Sequence, residues 1–177
     1  APSDNRLQHE IRHGKKIAAN AAKIWNWSSP AGKLRAQRRA LYLIEKGNFK
    51  PTDNLLEIGC GTGIFTEKVY HATGSRITAI DISPDLLQLA KKKLPHVQFQ
   101  IEDAMNLSFT TGTFDAVYGS SVLHHLETAK ALNEIFRVLK PGGRMVFAEP
   151  NLLNPYIFVE INTPILKDRL GVSPDES

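Results

Sequence analysis

Residues 54–66 read NLLEIGCGTGIFT, and the fold follows from this stretch. Leu55, Leu56 and Ile58 form a short apolar run of the kind that makes a buried strand. A glycine-dense turn follows at Gly59, Gly61 and Gly63, after which Ile64, Phe65, Val69 and Tyr70 recur at helical spacing. Strand, glycine turn and helix in this order bring backbone N–H groups and a helix N-terminus against a nucleotide-like ligand. Glycine opens backbone angles closed to other residues and, lacking Cβ, lets a ligand approach the main chain.

Outward from that stretch, strands and helices alternate. The pattern predicts strands at about Asp53–Ile58, Arg76–Ile80, Val97–Ile101, Phe114–Tyr118 and Arg144–Ala148. Between them it predicts helices at Ile64–Ala72, at Pro84–Leu94 started by Ser83, and at Thr128–Leu139 closed by Pro141, Gly142 and Gly143. Crossovers of this length imply an α/β fold with a doubly wound, mainly parallel, Rossmann-like sheet and helices on both faces. Upstream, Leu7, Ile11, Ile17, Ala21, Ile24 and Trp25 form an apolar stripe, predicting an amphipathic helix over residues 5–26 that Gly14 weakens. A second helix over residues 31–46 carries Lys33, Arg35, Arg38 and Arg39 on its polar side. The chain thus divides into an N-terminal helical cap (1–50), a ligand-binding core (51–150) and a tail (151–177). The tail reads as a partial lid or as the start of a C-terminal part whose strands are absent here.

The composition sets limits. At 177 residues and 42% hydrophobic, the chain is long enough for one core. No apolar run reaches the roughly 18 residues of a membrane span, and the first ten residues do not read as a secretory leader. A single cysteine, Cys60, excludes an internal disulfide and a cysteine-built zinc site, in keeping with a cytoplasmic setting. Charge is uneven: residues 1–50 carry eleven Lys and Arg against three acidic residues, net +8, and the remainder eleven against fifteen, net −4. Such a basic segment suits an acidic substrate, peripheral contact with a membrane surface, or RNA; it equally suits a solvated helical face.

Spacing chooses the ligand. In the dinucleotide pattern G-x-G-x-x-G, counted from Gly59, the third glycine would fall at Ile64. The pattern present is E-x-G-x-G-x-G, from Glu57 through Gly63. It resembles the first motif of class I S-adenosylmethionine-dependent methyltransferases, and the segments DAVYGSSVLHHL and RVLKPGG look most like their small-molecule, type 11-like branch. Asp81, closing the second strand, is of the type that accepts hydrogen bonds from both ribose hydroxyls; helix capping is its other reading, although Ser83 is better placed for that. The resemblance implies that Ile82 lies on the adenine face, Asp103 reaches the adenine amino group, and Ala104 offers its N–H to the ring. It also implies that Gly59, Cys60, Gly61 and Gly63 line the cofactor, with Cys60 a small packing residue rather than a nucleophile. Glu57 would stand near the amino group of the methionine moiety, and Gly119 and Ser120 would face that moiety.

The same resemblance sets His124 and His125 beside the transferring methyl. His125 is the candidate general base, since imidazole titrates near neutrality; the alternative is that one histidine packs while the other caps or faces solvent. Glu149 and Asn151 either line the acceptor pocket or hold the chain as it leaves the sheet. Trp25 and Trp27 either touch the acceptor or staple the cap to the core. The implied reaction is direct displacement from S-adenosylmethionine, leaving S-adenosylhomocysteine, with no metal ligand set in view. A nucleic-acid base is disfavoured as acceptor, because Gly119-Ser120-Ser121 stands where base-amino methyltransferases often carry Asn/Asp-Pro-Pro-Tyr. The expected acceptor is a small molecule. The alternatives are a non-catalytic cofactor-binding module or an RNA methyltransferase that uses the basic helices to hold its partner.

Overall fold

The computed structural model describes residues 2–18 and 27–151 of the chain. Its strands are β1 (Asn54–Ile58), β2 (Arg76–Asp81), β3 (Gln98–Ile101), β4 (Phe114–Ser120) and β5 (Leu139–Ala148). Its helices are α1 (Pro2–Ala18), α2 (Pro30–Gly47), α3 (Ile64–Thr73), α4 (Pro84–Lys93) and α5 (Thr128–Val138), with a 3-10 turn at Leu123–His125. The strands lie in the order β3-β2-β1-β4-β5, and every pairing is parallel. The chain therefore steps outward from β1 to β3, then crosses back to β4. The order reverses between β1 and β4, and in open parallel sheets ligands bind in the crevice outside the carboxyl ends of the strands at such a point.

β1 runs through the middle of both cores, which is why its residues read as an unbroken apolar run rather than an alternation. Leu55 belongs to the core cluster that also holds Ala36, Ala40 and Leu43 of α2, Phe65 and Val69 of α3, and Leu87 and Ala90 of α4. Leu56 and Ile58 face the other way, onto Ile135 and Val138 of α5. Helices cover both faces, as the alternating pattern implies. Among the described residues, no helix is long and apolar enough to cross a membrane.

Boundaries moved where local chemistry competed. The expected turn at Pro141–Gly143 lies inside β5: Phe114 pairs with Leu139, and the next partners are Ala116 and Arg144. Residues 140–143 therefore bulge out opposite Asp115, with Gly142 at φ +77. The turn glycine and the strand are both real. α2 opens where Ser29 accepts a bond from the Gly32 N–H at 3.0 Å, with Pro30 in the first turn, and closes at Asn48 in the left-handed region. α1 is described as far as Ala18, and the predicted continuation to residue 26, Trp25 included, lies outside the described residues, as does the tail from residue 152.

Gly14 carries more meaning than a weak point in a helix. α1 crosses the start of α4, where Ile17 and Leu86 are both buried. A Cβ at residue 14 would stand 2.3 Å from Ser83 Oγ and 2.5 Å from Ser83 Cβ. Only a glycine lets the two backbones come this close. We therefore expect Gly14→Leu to push α1 off α4 at an overpacking cost of about 1–3 kcal/mol, opening α1 to protease roughly tenfold faster. Limited proteolysis with cleavage sites read by mass spectrometry checks this; unchanged cleavage within residues 2–18 would mean that the contact holds nothing.

Candidate active site

The crevice is built on the glycine turn. Gly59, Gly61 and Gly63 all have positive φ, at +67, +52 and +75. At Gly59 a Cβ would also sit 2.5 Å from Val122 Cγ2, so the β1 turn and the loop after β4 pack without room for a side chain. Gly63 is the N-cap of α3 and offers no side-chain cap, leaving first-turn N–H groups of that helix facing the turn. Cys60 is buried and its N–H bonds the Ile80 carbonyl at 3.0 Å, tying the turn to β2. Burial, with the nearby Asp81 and Glu57 charges, pushes its thiol pKa well up. A thiol held neutral is a poor nucleophile, and Cys60 belongs to the buried core cluster on the α2 side of the sheet.

Asp81 does what neither of its two sequence readings includes. Its Oδ2 accepts the Gly61 N–H at 2.8 Å and its Oδ1 accepts the Ser83 N–H at 2.9 Å. The carboxylate thus bridges the glycine turn and the start of α4, while Ser83 Oγ caps that helix through the Leu86 N–H. Burial raises the Asp81 pKa, the two amides oppose this, and Glu10 on α1 adds repulsion. A carboxylate has about four acceptor positions, so capacity for a ligand remains. Asp103, following β3, accepts the Met105 N–H at 3.0 Å, which orients it in a tight loop. Ala104 is buried beside α5, and Ile82 is half-buried at the mouth.

Glu57 is 1% exposed and stands one residue before the carboxyl end of β1. The Tyr118 hydroxyl donates to its Oε2 at 2.9 Å. Burial pushes its pKa up to about 7, the Thr66 and Tyr118 hydroxyls pull it part of the way back, and Asp81 pushes it further up. Glu57 is therefore a buried carboxyl held above the ordinary carboxylate range.

At the β4 end, the structure separates the two histidines. His124 Nδ1 stands 2.6 Å from Glu149 Oε2, and Glu149 Oε1 accepts the N–H groups of Val122 and Leu123 at 3.1 and 3.2 Å. Burial pushes the Glu149 pKa up, but the His124 bond and the two amides outweigh it, and the group lies below its ordinary value. His125, its ring 4.2 Å from that of His124, faces α1 instead: its Nδ1 is 3.8 Å from Glu10 Oε1. Each imidazole therefore has a carboxylate on its Nδ1 side. Ser120 ends β4, and its hydroxyl accepts a bond from Arg39 of α2 at 3.2 Å; Ser121 Oγ accepts from the same nitrogen at 2.5 Å. Trp27 packs edge-on against Phe65, under the guanidinium groups of Arg35 and Arg39.

Asp103, Asp81, Gly59–Gly63 and Ser120 thus lie at the carboxyl ends of neighbouring parallel strands, β3, β2, β1 and β4. Three participants lay outside the reading of the sequence. Glu10 comes from a distant helix and had no signal in spacing. The His124–Glu149 pair follows once β4 and β5 are known to be neighbours. Arg39, placed with the polar side of its helix, stands three residues after buried Ala36 and four before buried Leu43, which is helical spacing for the margin of the buried stripe. Among the described residues there is no cluster of His, Cys, Asp and Glu able to hold a metal ion.

Residues 56–147 match the family described as "Methyltransferase domain", and the chain belongs to that family. A demethylmenaquinone methyltransferase of Paenarthrobacter aurescens strain TC1 is 32% identical over 154 residues, covering 81% of this chain and 59% of that protein. Among solved structures, the [4+2]-cyclase SpnF is 31% identical with a TM-score of 0.61, over 63% of this chain and 44% of that one. Phosphoethanolamine N-methyltransferase 2 of Haemonchus contortus, solved with phosphomonomethylethanolamine and S-adenosylhomocysteine, is 26% identical with a TM-score of 0.59. That match covers 62% of this chain and 27% of that one. The chain spans 59%, 38% and 37% of the length of the first three curated relatives.

The Glu57 environment makes a measurable claim. Its folded pKa, about 7, lies above its ordinary value of 4.5, so the folded state holds the proton longer than the unfolded one. The associated stability is complete below pH 4.5 and is lost as pH rises through 7. Relative to Glu57→Gln, the wild type should lose about 3 kcal/mol of unfolding free energy between pH 4.5 and 8. Urea unfolding of both proteins across that range decides it, and a pH-independent difference would contradict the assignment.

Proposed function

We propose that this chain binds S-adenosylmethionine along the carboxyl edge of its sheet and serves methyl transfer to a small-molecule acceptor. The observation that carries the reading is the Gly61 N–H bond to Asp81 Oδ2 at 2.8 Å, which joins the glycine turn and the end of β2 into one ligand-facing unit. Membership of the methyltransferase family and the S-adenosylhomocysteine bound by the Haemonchus relative support it. The fit is also chemical. Glu57, Asp81, Asp103 and Glu149 make an acidic crevice for a cationic sulfonium ligand, and the glycine turn leaves backbone room for it.

In this reading Asp81 takes the ribose hydroxyls, while Ile82, Asp103 and Ala104 take the adenine. Gly59, Cys60, Gly61 and Gly63 line the ligand's middle, and Glu57 and Ser120 serve its amino-acid end. When bound, S-adenosylmethionine supplies a methyl group already activated on sulfur. The protein's own work is to align an acceptor, keep water out and take a proton where the acceptor carries one. His125 is the base, its imidazole 3.8 Å at Nδ1 from the Glu10 carboxylate, whose charge would stabilise the imidazolium formed when the ring takes a proton. His124, bonded to Glu149, braces the turn. Residues 1–50 act as a cap over the core at 51–150, and the setting is cytoplasmic. The alternative of a binding module that grips RNA through its basic helices loses support where Arg39 turns inward and Arg35 stacks on Trp27.

Thermal unfolding tests the first half. S-adenosylhomocysteine at about 100 times its dissociation constant should add about 2.7 kcal/mol, which is roughly 5–11 °C for a chain of this size. NAD should add nothing, and a shift with NAD alone would overturn the reading. The second half is tested by S-adenosylhomocysteine release with a panel of quinol, phenol and amine acceptors. His125→Asn should lower kcat by about 100-fold or more while leaving the thermal shift in place; an unchanged kcat would remove His125 from the chemistry.

A further inference from the structure

α2 turns its small side chains inward and its large ones outward. Gly32, Ala36, Ala40 and Gly47 are buried together with Leu43, whereas Leu34, Leu41 and Tyr42 are 52%, 56% and 47% exposed. Placed at i, i+7 and i+8, these three share one face of the helix, turned away from the buried stripe. A single surface leucine needs no explanation. A line of large apolar residues on a helix whose packing face is mostly alanine and glycine does, because the core makes no use of it.

The same face is basic. Arg38 falls at i+4, between Leu34 and Leu41, and Lys33, Arg35 and Lys46 are exposed around it. Glu45 is the one acidic residue of the helix, and it already lies 3.6 Å from Lys46. The face therefore offers apolar surface and positive charge together.

That combination selects the occupant. A second copy of the chain is disfavoured: a two-fold contact through this face, with the helices parallel or antiparallel about its middle, lays Arg38 against its own copy. RNA would take the charge and leave Leu34 and Leu41 in water. An anionic bilayer takes both, since long basic side chains reach charged headgroups while leucine and tyrosine enter the layer beneath. We propose that the outer face of α2 docks on an anionic phospholipid surface, with the helix lying in the plane of the headgroups. One residue on from Arg38, Arg39 turns inward to Ser120 and Ser121 at the end of β4. A chain docked in this way holds that end of the crevice about one helix diameter, roughly 10 Å, from the lipid. The docking itself is independent of which ligand the crevice takes.

Vesicle flotation of the full chain tests this, with vesicles of phosphatidylcholine alone and of phosphatidylcholine mixed equally with phosphatidylglycerol. Wild type should bind the mixed vesicles about tenfold or more tightly than the neutral ones, a preference that high salt removes. Leu34→Ser combined with Leu41→Ser should weaken binding to the mixed vesicles by about tenfold or more, and Arg38→Gln by about fivefold. Phe136→Ser alters a side chain 82% exposed on α5, which covers the opposite face of the sheet, and should bind as wild type does. Equal binding to both kinds of vesicle, or to neither, would overturn the proposal. Undiminished binding by the leucine pair would overturn it too, leaving only the attraction to phosphate that RNA shares. A loss in Phe136→Ser as large as that in the leucine pair would place the contact elsewhere on the chain. A dimer that the leucine pair dissolves, with no vesicle binding, would assign the face to a second copy.

Discussion

The bond from the Gly61 N–H to the Asp81 carboxylate holds the site together. Parallel strands leave their carboxyl ends as separate loops, and nothing in the sheet ladder fixes one loop against the next. Here a buried acidic side chain does so, taking one amide from the glycine turn and another from the start of α4. Desolvating that carboxylate is costly, and the amides it accepts are what make the cost tolerable. The turn can then be glycine-rich without being loose. Its shape is imposed from β2 and from Val122 rather than from side chains of its own.

Charge has been concentrated on one side of this arrangement. Glu57 lies beneath the turn with Tyr118 as its donor, Asp81 beside it, Asp103 one strand further out and Glu149 beyond β4. Each carboxylate accepts from at least one neighbouring N–H or O–H, yet bonds of this kind do not cancel the field. A folded chain accepts such mutual repulsion when the group that relieves it arrives from outside. Arg39, bonded to Ser120 and Ser121 at the end of β4, is the basic exception at the edge.

Much of this could be read before any coordinates. The apolar run Leu55–Ile58 and the glycines after it specify strand, turn and helix because local physics is strong there: burial on both faces of β1, and backbone angles closed to other residues. Asp81 and Asp103 were legible because a doubly wound sheet gathers strand ends at one edge. What escaped was set by contacts between elements far apart in sequence. Gly14 looked like a defect until Ser83 stood against it. Glu10 is an unremarked acid in an amphipathic helix until that helix lies across the crevice. Arg39 sat among other basic residues, and only the margin of the Ala36–Leu43 stripe marked it as turned inward. The Pro141–Gly143 turn was sound, but the strand resumed on both sides of it because Phe114 still had a partner to find.

The close approach of α1 to Ser83 has a thermodynamic consequence. Ser83 gives its N–H to Asp81 and its hydroxyl to the first turn of α4, while Gly14 lies against its side chain. The N-terminal helix and Asp81, the proposed ribose site, thus meet at one residue. Coupling through a shared residue is reciprocal: whatever free energy a docked α1 adds to ligand binding, the bound ligand returns to the docking of α1. The N-terminal helix is then a reporter as well as a cover, and its amide exchange would slow in proportion to how fully the crevice is filled.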